Sequence, residues 1–361
     1  MLVLLPTYKR LDSLKLVLDS ILRCDLPKLP DDEIARLVII NNYFPNKNKI
    51  EELIDVIKST NLEHTKWEIK ILTRNITLPP VENWYSAVFQ MSKENETIFF
   101  VCDDDLLTKD SIKERYNALI ENNGTMVFGK LIFGLFYLKN CKKIYLHKSN
   151  GLNKLNAKTY TLDYGDIFNW TSIHLSNHAF VFNQKFQKAY NKALSWCENQ
   201  KIATEYNRKL FITYYIPLAL LIENANVIGI NSYVLYRGMS ISEIKYARYS
   251  IRSWNIGYAA GLAYDVLGNV DLKDNYDLNY ERNHFYNTFK MWYYAIKIDP
   301  RISSIELRDL ETAINFNKND ISLSDIYHSM TKIIKYYFKI QALPIQIKSM
   351  LFAKKTNTIN W

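Results

Sequence analysis

Glycine and proline are scarce, ten and nine in 361 residues. No Gly/Ser-rich or Pro-rich stretch interrupts the chain, which excludes a flexible linker and leaves any two domains to pack closely. Cysteine is scarcer still. Cys24, Cys102, Cys141 and Cys197 are widely separated and form no C-x-x-C pair, so neither a zinc site nor a disulfide framework is expected, and a reducing compartment fits. Long apolar runs are missing too: the longest, Tyr214 to Ile222, contains Pro217 and falls far short of the ~20 residues that span a bilayer. Met1-Leu2-Val3-Leu4-Leu5 has no basic residues ahead of it and stops at Pro6, which reads as a first strand and not as an export signal. A cytoplasmic protein is expected. There is no internal repeat, no G-x-x-x-x-G-K-[ST] loop and no G-x-G-x-x-G fingerprint, and a phosphatase-like hhhhDxDxT fails at Leu107.

What is present is ample core, 48% hydrophobic and 14% aromatic residues, about two domains' worth of chain. The first half alternates strand and helix. Leu2 to Leu5, Leu37 to Ile40, Trp67 to Ile71 and Ile98 to Cys102 read as strands. Between them Leu11, Leu14, Leu18, Ile21 and Leu22, then Ile50, Leu53, Ile54 and Ile57, then Asn83 to Met91 recur at helical spacing, and a further helix runs from about Lys109 to Glu121. A β-α-β-α-β-α-β order implies a Rossmann-like, mostly parallel sheet flanked by helices.

The fourth strand runs into Asp103-Asp104-Asp105. Ligands bind at the carboxyl ends of parallel strands, so these acids stand where a site belongs. Three adjacent carboxylates repel unless neutralised, which makes a hard divalent ion, Mg²⁺ or Mn²⁺, their natural partner. The alternative is a helix start: Asp105 or Thr108 as cap, the other acids favouring the helix dipole.

Four pieces together carry a resemblance: Leu5-Pro6-Thr7-Tyr8-Lys9-Arg10, the strand ending in Asn41-Asn42, the segment from Asn75 to Asn83-Trp84, and Asp103-Asp104-Asp105. In order and spacing they resemble the nucleotide-sugar domain of glycosyltransferase family 2, the GT-A fold, over residues 1 to about 125. The resemblance implies an inverting transferase that uses a nucleotide-sugar donor and Mg²⁺ or Mn²⁺. It places Pro6, Thr7 and Tyr8 against base and ribose, and offers Arg10 to the diphosphate, since a guanidinium pairs bidentately with phosphate oxygens; a plain surface arginine is the alternative. It gives Asp103 to the ribose or the ion, Asp105 to the metal, and turns Asp104 aside to support the loop. Asn83 matches the residue preceding the packing helix. Asn41 departs from the pattern, which has an acid accepting the N3 proton of uracil. An amide both donates and accepts, so a UDP-sugar is the first expectation, with CMP- or GDP-sugar open.

Residues 126–240 are expected to complete the GT-A domain around the acceptor, with strands at Met126 to Leu138, Lys142 to His147 and Phe180 to Phe182, and residues 241–361 to form a largely helical region. Inverting transfer needs one general base near the acceptor hydroxyl. The family pattern places it well after the metal motif, which points to Glu205, with Asp166 and Glu198 behind it. His174 and His178 are four apart with no third ligand nearby and read as surface or core histidines.

The formal charge is +9, and no acidic residue follows Asp325, whereas Lys332, Lys335, Lys339, Lys348, Lys354 and Lys355 do. Lysines 332, 335 and 339 share a helical face and aromatics fall elsewhere, the pattern of a membrane-surface anchor or of a packed terminal helix with solvated lysines. An anchor would suit a glycan or lipid-linked acceptor at the inner membrane face, as in bacterial surface-polysaccharide assembly. No nucleic-acid module is apparent. The rival reading is a non-catalytic nucleotide-binding protein that docks on a membrane or polyanion through its basic tail.

Overall fold

The computed structural model describes residues 1–31, 33–60, 65–136, 144–148, 158–163, 166–167, 175–198, 212–237 and 354–356. The chain divides into two compact units, the first made of Met1–Ala193, Ile212–Ser240 and Lys354–Trp361, the second of Leu194–Phe211 and Ile241–Ala353. Nearly all described residues belong to the first. The expected helical region and its basic helix lie outside them, save the short strand Lys354–Thr356.

The first unit opens with β1 (Leu2–Thr7), α1 (Leu11–Leu22), β2 (Ala35–Asn41), α2 (Lys47–Thr60), β3 (Trp67–Thr73), α3 (Pro80–Met91) and β4 (Glu96–Phe100). There follow β5 (Asp105–Leu107), α4 (Ser111–Glu121), β6 (Met126–Phe136), β7 (Ile144–Lys148), β8 (Thr159–Thr161) and β9 (His178–Phe182). Helices α5 (Gln184–Glu198) and α6 (Ile212–Ile222) precede β10 (Val227–Arg237), and Lys354–Thr356 is β11. One sheet has the order β11-β7-β6-β9-β4-β1-β2-β3, with β10 pairing β5, β6 and β8 off that path. The expected α/β architecture is present. Parallel pairing holds through β4-β1-β2-β3, whereas β9 runs antiparallel to β4 and β6, so the sheet as a whole is mixed.

Register explains what the parallel part positions. Side chains two residues apart on a strand share a face, and β1, β2 and β3 align Val3, Leu37 and Ile69, then Leu5, Ile39 and Ile71, then Thr7, Asn41 and Thr73. The first two rows belong to the core beneath Leu14, Leu18 and Ile21 of α1 and Ile50, Ile54 and Ile57 of α2. The third row is polar, because the sheet ends there. On the opposite face Phe100 meets Tyr85, Phe180 and His178 at ring-centroid distances of 5.8, 6.1 and 6.3 Å. His178 is thus a core histidine, and His174 lies outside the described residues.

The helix-cap alternative for the acidic run does not hold. Asp105 begins β5, which pairs antiparallel with β10, Leu107 opposite Leu235. Thr108 donates its hydroxyl to the Tyr233 carbonyl at 2.8 Å, and α4 starts only at Ser111. Among the described residues no helix is long and apolar enough to cross a membrane; the 214–222 run forms most of α6, with Pro217 inside it.

Candidate functional site

Three turns meet at the carboxyl edge of β4-β1-β2-β3. The first follows β1. Pro6 lies beyond the last β1–β4 pair, Leu4 with Phe100, so its missing N–H costs no ladder bond. Thr7 is buried and helps hold the Asp103 pKa down. The Tyr8 backbone N–H donates to Asp103 Oδ2 at 3.2 Å. Lys9 adopts φ 61°, a left-handed conformation costly for a side-chain-bearing residue, and its ammonium sits 4.9 and 4.5 Å from the ring centroids of Tyr8 and Tyr43. Those two rings meet edge-on at 5.8 Å. Tyr8 is 44% exposed at the rim.

The second turn follows β2. Asn41 is 1% exposed; its Oδ1 accepts the Tyr43 N–H at 3.1 Å, and its Nδ2 is buried with no hydrogen-bond partner. Asn42 clamps the chain after β3, donating Nδ2 to the Leu78 carbonyl at 2.8 Å and accepting the Leu78 N–H at 2.9 Å. Asn83 is buried in α3, where its Oδ1 accepts from Arg74 Nε at 3.1 Å. Arg74 also donates to the Asn83 carbonyl, Ser86 Oγ and Gln90 Oε1, tying the end of β3 to α3. Burial lowers its pKa.

The third turn is the acidic one. Asp103 accepts from Arg10 at 3.2 Å, and Asp104 accepts from the same Arg10 nitrogen at 2.8 Å. Burial pushes the Asp103 carboxyl up to about 6; Arg10 pulls against that, Asp104 adds to it, and the Tyr8 N–H and Thr7 oppose it. Asp105, 1% exposed, accepts from Ser176 Oγ at 2.6 Å. Ser176 Oγ in turn accepts the Cys102 N–H at 2.8 Å. Beneath them lies Arg115 of α4, fully buried, donating to the Ser176 and His178 carbonyls and to the Ser111 carbonyl and hydroxyl. Burial lowers its pKa to about 9, so it stays charged at neutral pH.

Ligand atoms of Cys102, Asp104 and Asp105 lie within 4.8 Å of one another. Two carboxylate oxygens suit a hard divalent cation. The thiol does not: burial first, then the neighbouring aspartates, hold Cys102 well above its usual pKa and therefore protonated. The resemblance implies Asp103 and Asp105 for the metal, with Asp104 aside; in the structure Asp104 clusters with Asp105 and Cys102, Asp103 accepts the Tyr8 N–H, and both Asp103 and Asp104 meet Arg10.

Asp166 exchanges hydrogen bonds with Asp163, each carboxylate accepting the other's N–H at 2.9 and 3.0 Å, the reciprocal arrangement that starts a helical turn. Glu205 lies outside the described residues. Tyr43, Arg74, Ser176 and Arg115 carry the geometry and had no motif to mark them. Arg74 alone left a trace, as the residue just past a strand end.

No family model matches the chain, and no curated protein matches its sequence. Solved structures do. S. aureus TarS residues 1–349 superposes with a TM-score of 0.50 at 13% identity, covering 94% of this chain and 87% of that one. The same piece crystallised with UDP-GlcNAc gives 0.50 at 15% identity with equal coverage. TarS is a glycosyltransferase. This chain shares its fold, an α/β sheet flanked by helices. It spans about half, 53%, of the longer TarS structure.

Proposed function

We propose that the chain is an inverting, metal-dependent glycosyltransferase of the family 2 type that moves a sugar from a nucleotide-sugar donor, a UDP-sugar first, to a glycan or lipid-linked acceptor. One observation carries the reading: the turn Thr7 to Arg10, the buried Asn41 and the carboxylates of Asp103 to Asp105 meet at the carboxyl edge of parallel strands in a chain with this fold. Residues 1–125 bind the donor, 126–240 the acceptor. Tyr8 offers its exposed ring to the base, and the polar row at the strand ends faces the nucleoside. Asp104 and Asp105 are the residues suited to hold Mg²⁺ or Mn²⁺, which when bound would offset charge on the diphosphate leaving group. Ser176 and Arg115 fix the Asp105 carboxylate without themselves meeting substrate. A carboxylate such as Glu205 takes the acceptor proton, and the basic C-terminal residues hold the protein at the inner membrane face.

The test is nucleotide release from UDP-, CMP- and GDP-sugars by the full chain with a glycan extract, with Mn²⁺ or with EDTA. Metal-dependent release of UDP is expected, abolished by Asp105→Asn in folded protein. No release from any donor with metal present refutes the proposal.

A further inference from the structure

The sheet ends at β3. Among the described residues no strand pairs with its outer side, and a bare strand edge is a template for another strand. Which groups it presents follows from the register with β2. In a parallel ladder the N–H and C=O of one residue point the same way, and successive residues alternate. The Arg74 N–H donates to the Asn41 carbonyl at 2.9 Å, one residue past the pair Asn41 and Thr73. Leu72, Lys70 and Glu68 therefore bond β2, while Ile71, Ile69 and Trp67 aim their backbone groups outward. The side chains divide between the two faces. On one, Lys70 Nζ lies 2.6 Å from Glu68 Oε1, and the two side chains are 53% and 37% exposed. On the other, Ile69 and Ile71 are only partly covered by the core that takes in Trp67.

We propose that β3 pairs antiparallel with β3 of a second copy of this chain, about a two-fold axis at Ile69, joining the two sheets into one. Such an interface must be complementary to itself, and this edge is. The axis sets Ile69 opposite its own counterpart, and the two exchange both backbone bonds. Trp67 of each copy stands opposite Ile71 of the other, again with both sets of backbone groups facing outward. Glu68 of each copy stands opposite Lys70 of the other, so the pair seen within one chain closes into a ring of four alternating charges. Moving the axis by one residue destroys that match. At Lys70 two lysines meet and at Glu68 two glutamates, and like charges directly opposite are destabilising. A lysine on an edge strand ordinarily discourages pairing; here the glutamate two residues before it turns the same charge into a selector of register. The pairing is independent of what binds at the carboxyl edge of the sheet.

The experiment is sedimentation equilibrium of the full chain over a range of concentrations, for the wild type, Glu68→Lys, Lys70→Glu and the double exchange Glu68→Lys/Lys70→Glu, with hydrogen exchange followed at the β3 amides. The wild type is expected to dimerise reversibly, the Ile69 and Ile71 amides slowing as the dimer forms. Each single variant turns two opposite-charge pairs into like-charge pairs and should weaken association roughly tenfold or more. The double exchange restores both pairs and should restore the dimer. Ile69→Pro removes an N–H that faces away from β2, where a proline is tolerated; it should leave the melting of the monomer nearly unchanged and abolish association. A wild type that stays monomeric at every concentration overturns the proposal. A dimer that both single variants leave intact, or that forms while the Ile69 and Ile71 amides exchange freely, uses another surface and overturns it too. So does a folded double exchange that associates no better than the single variants.

Discussion

Replacing Arg10 by alanine tests whether the acidic turn is held by charge. One Arg10 nitrogen donates to Asp103 at 3.2 Å and to Asp104 at 2.8 Å. Charge-assisted bonds of this kind are worth roughly 1.5–3 kcal/mol each. The Arg10 side chain is 29% exposed, so solvent screening cuts the pair to about 2 kcal/mol in all. Asp103 makes the cost depend on pH. Burial raises its folded pKa to about 6, above the ordinary carboxylate value, with Arg10 pulling it back down. A raised acid makes wild-type stability fall as pH rises from about 4 to about 6, because over that range the folded state holds a proton that the unfolded chain has released. The attraction between Arg10 and Asp103 exists only where Asp103 is ionised, so it is present above about 6 and lost as pH falls through that value. Arg10→Ala is therefore expected to cost about 2 kcal/mol at pH 7.5 and about half of that at pH 5, read from urea unfolding at the two pH values. Equal costs at both, or a cost below ~0.5 kcal/mol at pH 7.5, would refute the assignment of Arg10 as the counter-charge of the turn.

Asn42→Ala removes both bonds to Leu78 and should cost about 1–3 kcal/mol, with the Leu78 amide losing protection from hydrogen exchange. Arg115→Leu leaves the Ser111, Ser176 and His178 carbonyls without their donor; a loss of about 3 kcal/mol or more in chemical denaturation is expected. Gly129→Ala would place a Cβ 2.4 Å from Val234 Cγ1, an overpacking cost of about 1–3 kcal/mol that Val234→Ala in the same chain should relieve. Failure of the double variant to recover thermal stability would show that the conflict lies elsewhere.

Three of the first four strands were legible as apolar runs that fill a sheet covered on both faces, and the third, Trp67 to Ile71, as apolar residues alternating with Glu68 and Lys70. Their edges were less so. The fourth strand was expected at Ile98 to Cys102 and lies at Glu96–Phe100: Glu96 is buried because Arg36, 60 residues earlier, donates to both its oxygens, and Thr97 is covered by pairing with Val181 of β9. A glutamate in a strand looks like an exposed end until its distant partner is known. The local structure at Asp105 was hidden for the same reason. Its place in β5 depends on β10, more than a hundred residues onward, and local sequence offered only a metal ligand or a helix cap.

The site shows the same limit more sharply. Three aspartates at a strand end announce charge, but their roles follow from what each meets. Asp103 meets the turn after β1, Asp104 meets Arg10, and Asp105 meets Ser176, 71 residues away in sequence. Ser176 stays under Asp105 because Arg115 holds its carbonyl and that of His178. In sequence Arg115 is one more cation in a polar helix; only its spacing from Ile112, Ala118 and Leu119, all buried with it, sets it on the inner face. Burying a guanidinium is expensive. Its bonds here go to carbonyls and a hydroxyl that hold one turn rigid beneath a carboxylate. An apolar residue of similar volume would fill the space and leave that turn unpinned, so the position of Asp105 depends on a buried charge that no local pattern announces.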